Sequence, residues 1–231
     1  MKSINIFLPI IFACVFSFGF INENSFSESG EKTASVKFKR YGIKSGIVEY
    51  EAAGSMTGTI VLYFDDWGYK EAKFEKTEMK MMGISVKENK VTIIDGEWTY
   101  NINLDQKTGT KIKTPFVEQI IETSGSNDLT NFGEQLMKNM GGKIAGKESV
   151  LGKECDIWEI KNLGSKILVW NWVPLKSDVN FMGQKIAQTA TKFDENASVP
   201  SEKLMIPPGV TISDGVDINS ILNKMKSGGK K

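Results

Sequence analysis

Between residues 42 and 113 apolar and polar positions alternate with a period of two, which is the signature of strands with one covered face. Val48, Tyr50 and Ala52 alternate with Ile47, Glu49 and Glu51. Residues 59–65 are nearly continuous apolar, a strand covered on both faces, and Asp66-Trp67-Gly68 reads as the turn after it. Residues 69–76 form an amphipathic strand with Ala72 and Phe74 on one side, and the meander continues through 84–87 and 91–94. Asp95-Gly96 is a hairpin signal, because glycine accepts the positive φ of a tight primed turn. The clearest alternation follows: Trp98, Tyr100, Ile102 and Leu104 on one side, Thr99, Asn101 and Asn103 on the other. Residues 105–109 are the next turn, and residues 110–113 return.

The period then changes. Thr114 and Pro115 begin a predicted helix whose stripe is Phe116, Val117, Ile120 and Ile121, since proline is tolerated in a first turn. Leu129, Phe132, Leu136, Met137 and Met140 have the spacing of a second helix, ended by Gly141-Gly142. Strands resume at 149–160, broken at Gly152, then at 166–172 and 179–193, the last kinked at Gly183. Pro200, Pro207 and Pro208 mark an extended, edge-like exit. Ile218, Ile221, Leu222 and Met225 predict a short final helix. The pattern gives one α+β domain: a strongly curved antiparallel sheet with helices laid over its concave face.

Ahead of this body, Lys2 is followed by an apolar run over residues 6–21 and a Ser-rich polar stretch over 22–30. A charged start, apolar core and polar exit make a secretory signal peptide. The run is about 16 residues, short of the roughly 20 that a spanning helix needs, and Pro9 interrupts it. Residues 1–21 are expected to be the signal, cleaved somewhere between 19 and 27, and residues 22–41 a linker. Ile11-Phe12-Ala13-Cys14 also loosely matches a lipid-attachment motif, which gives an alternative localisation anchored through Cys14. Residues 42–231 are read as the single domain.

Composition narrows the chemistry. The chain has 231 residues with 29 Lys plus Arg against 28 Asp plus Glu, so nothing in its net charge favours nucleic acid or an anionic membrane as a bulk partner. There is no histidine, which removes His-based triads and the commonest zinc ligand. Of the two cysteines, Cys14 lies in the signal and Cys155 stands alone in an alternating strand, where a buried inert thiol is the simplest reading. Met79-Lys80-Met81-Met82 offers soft thioethers, but without a neighbouring His or Cys it reads as a flexible lip. Asp65-Asp66, Asp95 and Asp105 fall in turns, where aspartate bonds its own backbone, and match no calcium loop. A carboxylate enzyme would need Asp65, Asp66 or Glu159 to converge in a cleft. No enzyme activity, cofactor or metal is expected.

Residues 63–69 (Tyr63-Phe64-Asp65-Asp66-Trp67-Gly68-Tyr69) form one motif. Ile94-Asp95-Gly96 with Tyr100, Ile102 and Leu104 forms a second, and residues 108–111 before Pro115 a third. Together with residues 150–155, Trp158, Val199-Pro200 and Pro207 to Gly209, these resemble an uncharacterised family of exported bacterial proteins related in fold to the lipoprotein carrier LolA. The resemblance spans most of residues 42–212. It implies a half-open β-barrel with helices plugging its mouth, and it brings no ligand residues with it.

Aromatic side chains on predicted strands are the functional hint. Tyr50, Tyr63, Trp98, Tyr100, Ile102, Trp158, Trp170, Trp172 and Phe181 are expected to line an apolar cup. The function expected is a non-enzymatic periplasmic or secreted binding protein, a monomer holding a lipid, an acylated protein or another apolar ligand, with peripheral membrane contact. The alternative is an envelope interaction module with a solid core and no ligand.

Overall fold

The computed structural model describes residues 39–81, 83–113, 134, 137–138, 140–181 and 184–215. The expected signal, most of the linker, the first and last predicted helices and Met82 lie outside these residues.

The described chain is built from twelve strands in one sheet, ordered β12-β6-β5-β4-β3-β2-β1-β11-β10-β9-β8-β7. A first meander runs β1 (Gly46–Gly54), β2 (Met56–Asp65), β3 (Lys70–Met81), β4 (Ile84–Asp95), β5 (Trp98–Asn103) and β6 (Thr108–Lys113). A second runs β7 (Lys143–Val150), β8 (Lys153–Ile160), β9 (Ser165–Trp170), β10 (Val173–Phe181) and β11 (Gln184–Glu195). An antiparallel seam between β1 and β11 joins them, and the short β12 (Thr211–Asp214) adds in parallel to β6.

This corrects the expected α+β class. The elements with described bounds are these strands and three 3₁₀ turns, at Asp66–Gly68, Lys161–Leu163 and Ser201–Leu204. No helix layer covering the concave face stands among the described residues. Of the second predicted helix, only Glu134, Met137 and Lys138 are described in helical conformation. The physical reason is that strands extend through segments without alternating hydrophobicity. β7 exposes six of its eight residues, and the outer half of β4 is wet on both faces. The single kinked strand expected over 179–193 is instead the end of β10 and most of β11, paired as a hairpin.

The sheet is strongly curved, and a strap shows by how much. Tyr41 N–H donates to Trp67 O at 3.1 Å and Gly42 N–H donates to Asn171 O at 2.9 Å. Two consecutive amide nitrogens therefore hold the β2–β3 and β9–β10 turns within about 10 Å of each other. In a flat sheet those hairpins, four strand spacings apart, would be separated by about 19 Å. Tyr41 lies under this chord, its ring 4.5 Å from that of Phe64, so the face bearing Phe64 is the concave one.

The opposite face is covered too. Ala72, Val91, Ile93 and Ile102 form a core there, and Leu204, Val210 and Ile212 of the C-terminal segment pack against it. Lys203 Nζ sits 5.9 Å from the Tyr63 ring and 5.7 Å from that of Phe74.

Two glycines fix local geometry. Gly96 has φ +57° in the β4–β5 turn, as the Asp-Gly signal anticipates, and donates its N–H to Tyr69 O at 2.9 Å. Gly58 lies inside β2 with φ +133°, and a Cβ there would come 2.2 Å from Lys76 O on β3. Gly58→Ala is expected to cost about 1–3 kcal/mol, read as a lower urea midpoint; an unchanged midpoint would show that β3 yields at no cost.

Candidate functional site

Register carries the concave face across the sheet, because residues opposite one another share a face. One row runs Trp158, Ile167, Ser177, Gln188, Ala52, Gly58, Thr77 and Glu88. The next runs Ala190, Tyr50, Ile60, Glu75, Lys90 and Asn103. A third runs Phe193, Val48, Leu62, Lys73, Thr92 and Asn101, and a fourth includes Phe64, Glu71, Ile94 and Thr99. The face thus changes character between β2 and β3. It is mostly apolar from β8 to β2, and mostly charged or hydroxylic from β3 to β5.

The polar half is buried as well. Glu71, Glu75, Thr77, Thr92 and Thr99 all belong to the buried set. Glu71 accepts a hydrogen bond from Tyr41 Oη at 2.6 Å and lies 3.4 Å from Arg40 Nη2. Burial pushes the Tyr41 hydroxyl pKa well up, and the Glu71 charge adds to it. For Arg40 burial opposes the charge, yet the Glu71 carboxylate leaves its pKa raised. Arg40 Nη1 is buried and has no hydrogen-bond partner. Further along, Glu75 lies 3.3 Å from Lys73 Nζ and 3.7 Å from Lys90 Nζ, and Lys90 donates to Glu88 at 2.7 Å. Burial disfavours the Lys90 charge, but Glu75 and then Glu88 more than compensate and raise its pKa.

Four of the nine residues expected to line the cup come together. Tyr50 is buried on the concave face and donates its hydroxyl to Pro174 O at 2.8 Å, across β11. Burial, reinforced by Glu71, holds that hydroxyl protonated. Trp158 is 2% exposed and packs with Ile160, Ile167, Val169 and Met137. Trp170 packs with the cluster containing Tyr50, its ring 5.7 Å from Phe193. Trp172, in the β9–β10 turn, touches both clusters and lies 6.0 Å from Trp158.

Tyr63, Trp98, Tyr100 and Ile102 are placed on the other face. Tyr63 pairs with Ala72, Ala72 with Ile93, and Ile93 with Tyr100, all opposite in sense to Phe64. Trp98 carries Lys111 Nζ 3.7 Å from its ring centroid, and Ile102 is buried in the convex core. Only the backbone of Phe181 is described.

The carboxylates considered for chemistry sit apart. Asp65 Oδ1 accepts from Asp66 N–H at 2.7 Å in the β2–β3 turn, whereas Glu159 faces Lys143 and Lys166 on β8. Cys155 is a buried free thiol, and burial raises its pKa. No described helix is long and apolar enough to cross a membrane.

The buried polar ladder is the feature sequence reasoning missed. Glu71, Lys73, Glu75 and Thr77 fall at every second position of β3, so the ladder was written in the sequence as one face. A strand face of that composition reads as wet, yet Glu71, Glu75 and Thr77 are buried, Glu71 against Arg40 and Tyr41 of the strap.

Comparison with known proteins found no matching family model and no matching curated protein. Among solved structures, an uncharacterised conserved protein of Thermus thermophilus aligns at 8% identity and a TM-score of 0.48. It covers 74% of this chain and 91% of its own. The lipoprotein LppX of Mycobacterium tuberculosis aligns at 11% identity and a TM-score of 0.33, over 69% of this chain and 91% of its own. PNGF-II aligns at 10% identity and a TM-score of 0.40 over 79% of this chain, which spans 33% of PNGF-II. Similarities of this size assign the chain to no family.

Proposed function

We propose that this is a non-enzymatic, exported envelope protein that holds an acyl chain or another apolar group against its concave face. The observation supporting this reading is the division of that face. Tyr50, Ala52, Ile60, Leu62 and Trp158 offer an apolar half, and Glu71, Lys73, Glu75, Thr77 and Lys90 a polar half, on the same side of one sheet. An amphiphile has the same division. Its chain gains roughly 0.8 kcal/mol per methylene removed from water, and its head is placed beside groups that form hydrogen bonds and ion pairs. Export rests on the signal-like residues 1–21, with a periplasmic or secreted location and the Cys14-anchored form as the alternative.

Native mass spectrometry of protein purified from an exporting host is expected to show a bound species of acyl mass. A fluorescent fatty acid is expected to be taken up saturably. Recovery of apo protein alone, with no saturable uptake, would sink the reading. A second reading, an interaction module with a solid core, is favoured by the burial of Val48, Ile60, Leu62 and Phe64 at 0–3% exposure. It expects that negative result together with recovery of a protein partner.

A further inference from the structure

The β3–β4 hairpin extends well past β5, and slightly past β2. β2 pairs with β3 only as far as Met56 opposite Met79, and β5 pairs with β4 only from Lys90 onward. Residues 84–88 of β4 therefore have no β5 partner, whereas Lys80 N–H still bonds Ser55 O at 2.8 Å, so the hairpin end is a finger free along its β4 edge. Its two sides differ. Met79, Ile84 and Val86 share the side continuous with the concave face, and Ile84 and Val86 are 61% and 51% exposed. The other side carries the exposed lysines Lys76, Lys80 and Lys87, and Lys185 is exposed on β11, whose backbone oxygen there accepts Ser55 N–H. Against these stand Glu78, which accepts from Ser85 Oγ at 2.6 Å and lies 3.9 Å from Lys80 Nζ, and Glu88, on the side of Ile84 and Val86, which pairs with Lys90 at 2.7 Å. Four lysines against two glutamates leave this end of the sheet net positive beside exposed aliphatic groups.

We propose that this finger docks on an anionic lipid bilayer. The tip enters first, Ile84 and Val86 reaching the boundary between head groups and acyl chains while the lysines of the opposite side meet lipid phosphates. Both terms favour the same partner: apolar insertion and polybasic attraction add in interfacial binding. The scale fits, since Ile84 to Val86 spans about 7 Å of strand, within the roughly 5–10 Å depth of interfacial insertion. The proposal goes beyond ligand holding and does not require it, because the finger's exposed groups lie outside the buried rows.

The test is co-sedimentation with vesicles of phosphatidylglycerol and phosphatidylcholine in about equal parts, compared with phosphatidylcholine alone. It uses protein secreted by an exporting host with its N-terminus verified by mass. Wild type is expected to prefer the anionic vesicles. I84D/V86D is expected to weaken binding at least about tenfold. K80E/K87E is expected to abolish the anionic preference, and I144D, at an equally exposed position on β7, to bind as wild type. Equal binding by I84D/V86D and wild type would overturn the proposal, as would absence of binding to either vesicle. Should I84D/V86D instead convert a dimer to a monomer with vesicle binding unchanged, the finger is a self-association surface and the proposal fails. Fatty-acid uptake measured without vesicles reads the concave face separately, so loss of one behaviour leaves the other standing.

Discussion

Replacing Glu71 by alanine is expected to cost about 3–5 kcal/mol of stability, the penalty for stranding a buried charge. Arg40 and Glu71 have side chains only 10% and 9% exposed, and Tyr41 donates to the same carboxylate. Removing Glu71 leaves the guanidinium desolvated and the tyrosine hydroxyl without its acceptor. Arg40 already has one nitrogen without a partner, so it has little left to fall back on. The intact pair contributes far less than its rupture costs, because desolvation offsets most of the Coulomb attraction. R40M/E71M is therefore expected to recover much of what E71A loses. Urea unfolding of the single and double variants checks both statements. A loss below about 1 kcal/mol in E71A would show a solvated pair, as at ordinary surfaces.

Trp158→Ala is expected to cost about 3–5 kcal/mol, whereas Trp98→Ala is expected to cost about 1 kcal/mol or less. Both tryptophans lie on alternating strands and look alike in the sequence. Trp158 is enclosed by Ile160, Ile167, Val169 and Met137, and its loss opens a cavity. Trp98 is half-buried under the Lys111 ammonium, and its removal forfeits a cation–π contact at the surface. Equal losses in the two variants, measured by thermal or urea unfolding, would contradict the placement of these residues.

Most strands were legible because alternation records burial locally. Trp98 to Asn103 and Val48 to Ala52 follow it, and Asp95-Gly96 marks its turn through a backbone requirement that only a few residues meet. The β7 strand was not legible beyond its end, since an edge strand exposed on both faces has no pattern to write. The site was half legible for a different reason. Alternation says which residues of one strand share a side, but pairing between strands decides which side of the sheet that is. Tyr50 and Tyr63 are each inward on an isolated reading, yet β1–β2 pairing sets Tyr50 opposite Ile60 and Tyr63 opposite Ile47, on opposite faces. Bulges at Glu49/Tyr50 and Pro174/Lys176 change parity again, and no single-strand pattern reports them.

The β1–β11 seam has a consequence for how the chain assembles. Each meander zips by short hairpins, so its pairings form early and locally. The seam instead joins Gly46 to Glu195, and the chord from Tyr41 and Gly42 waits for Asn171. Loop closure over such a separation is slow, and until it happens each half presents a bare edge and an uncurved apolar side to water. A ribosome delivering this polypeptide from its first residue releases an unfinished half-sheet long before its mate exists, which is the interval in which a holding chaperone would have something to hold.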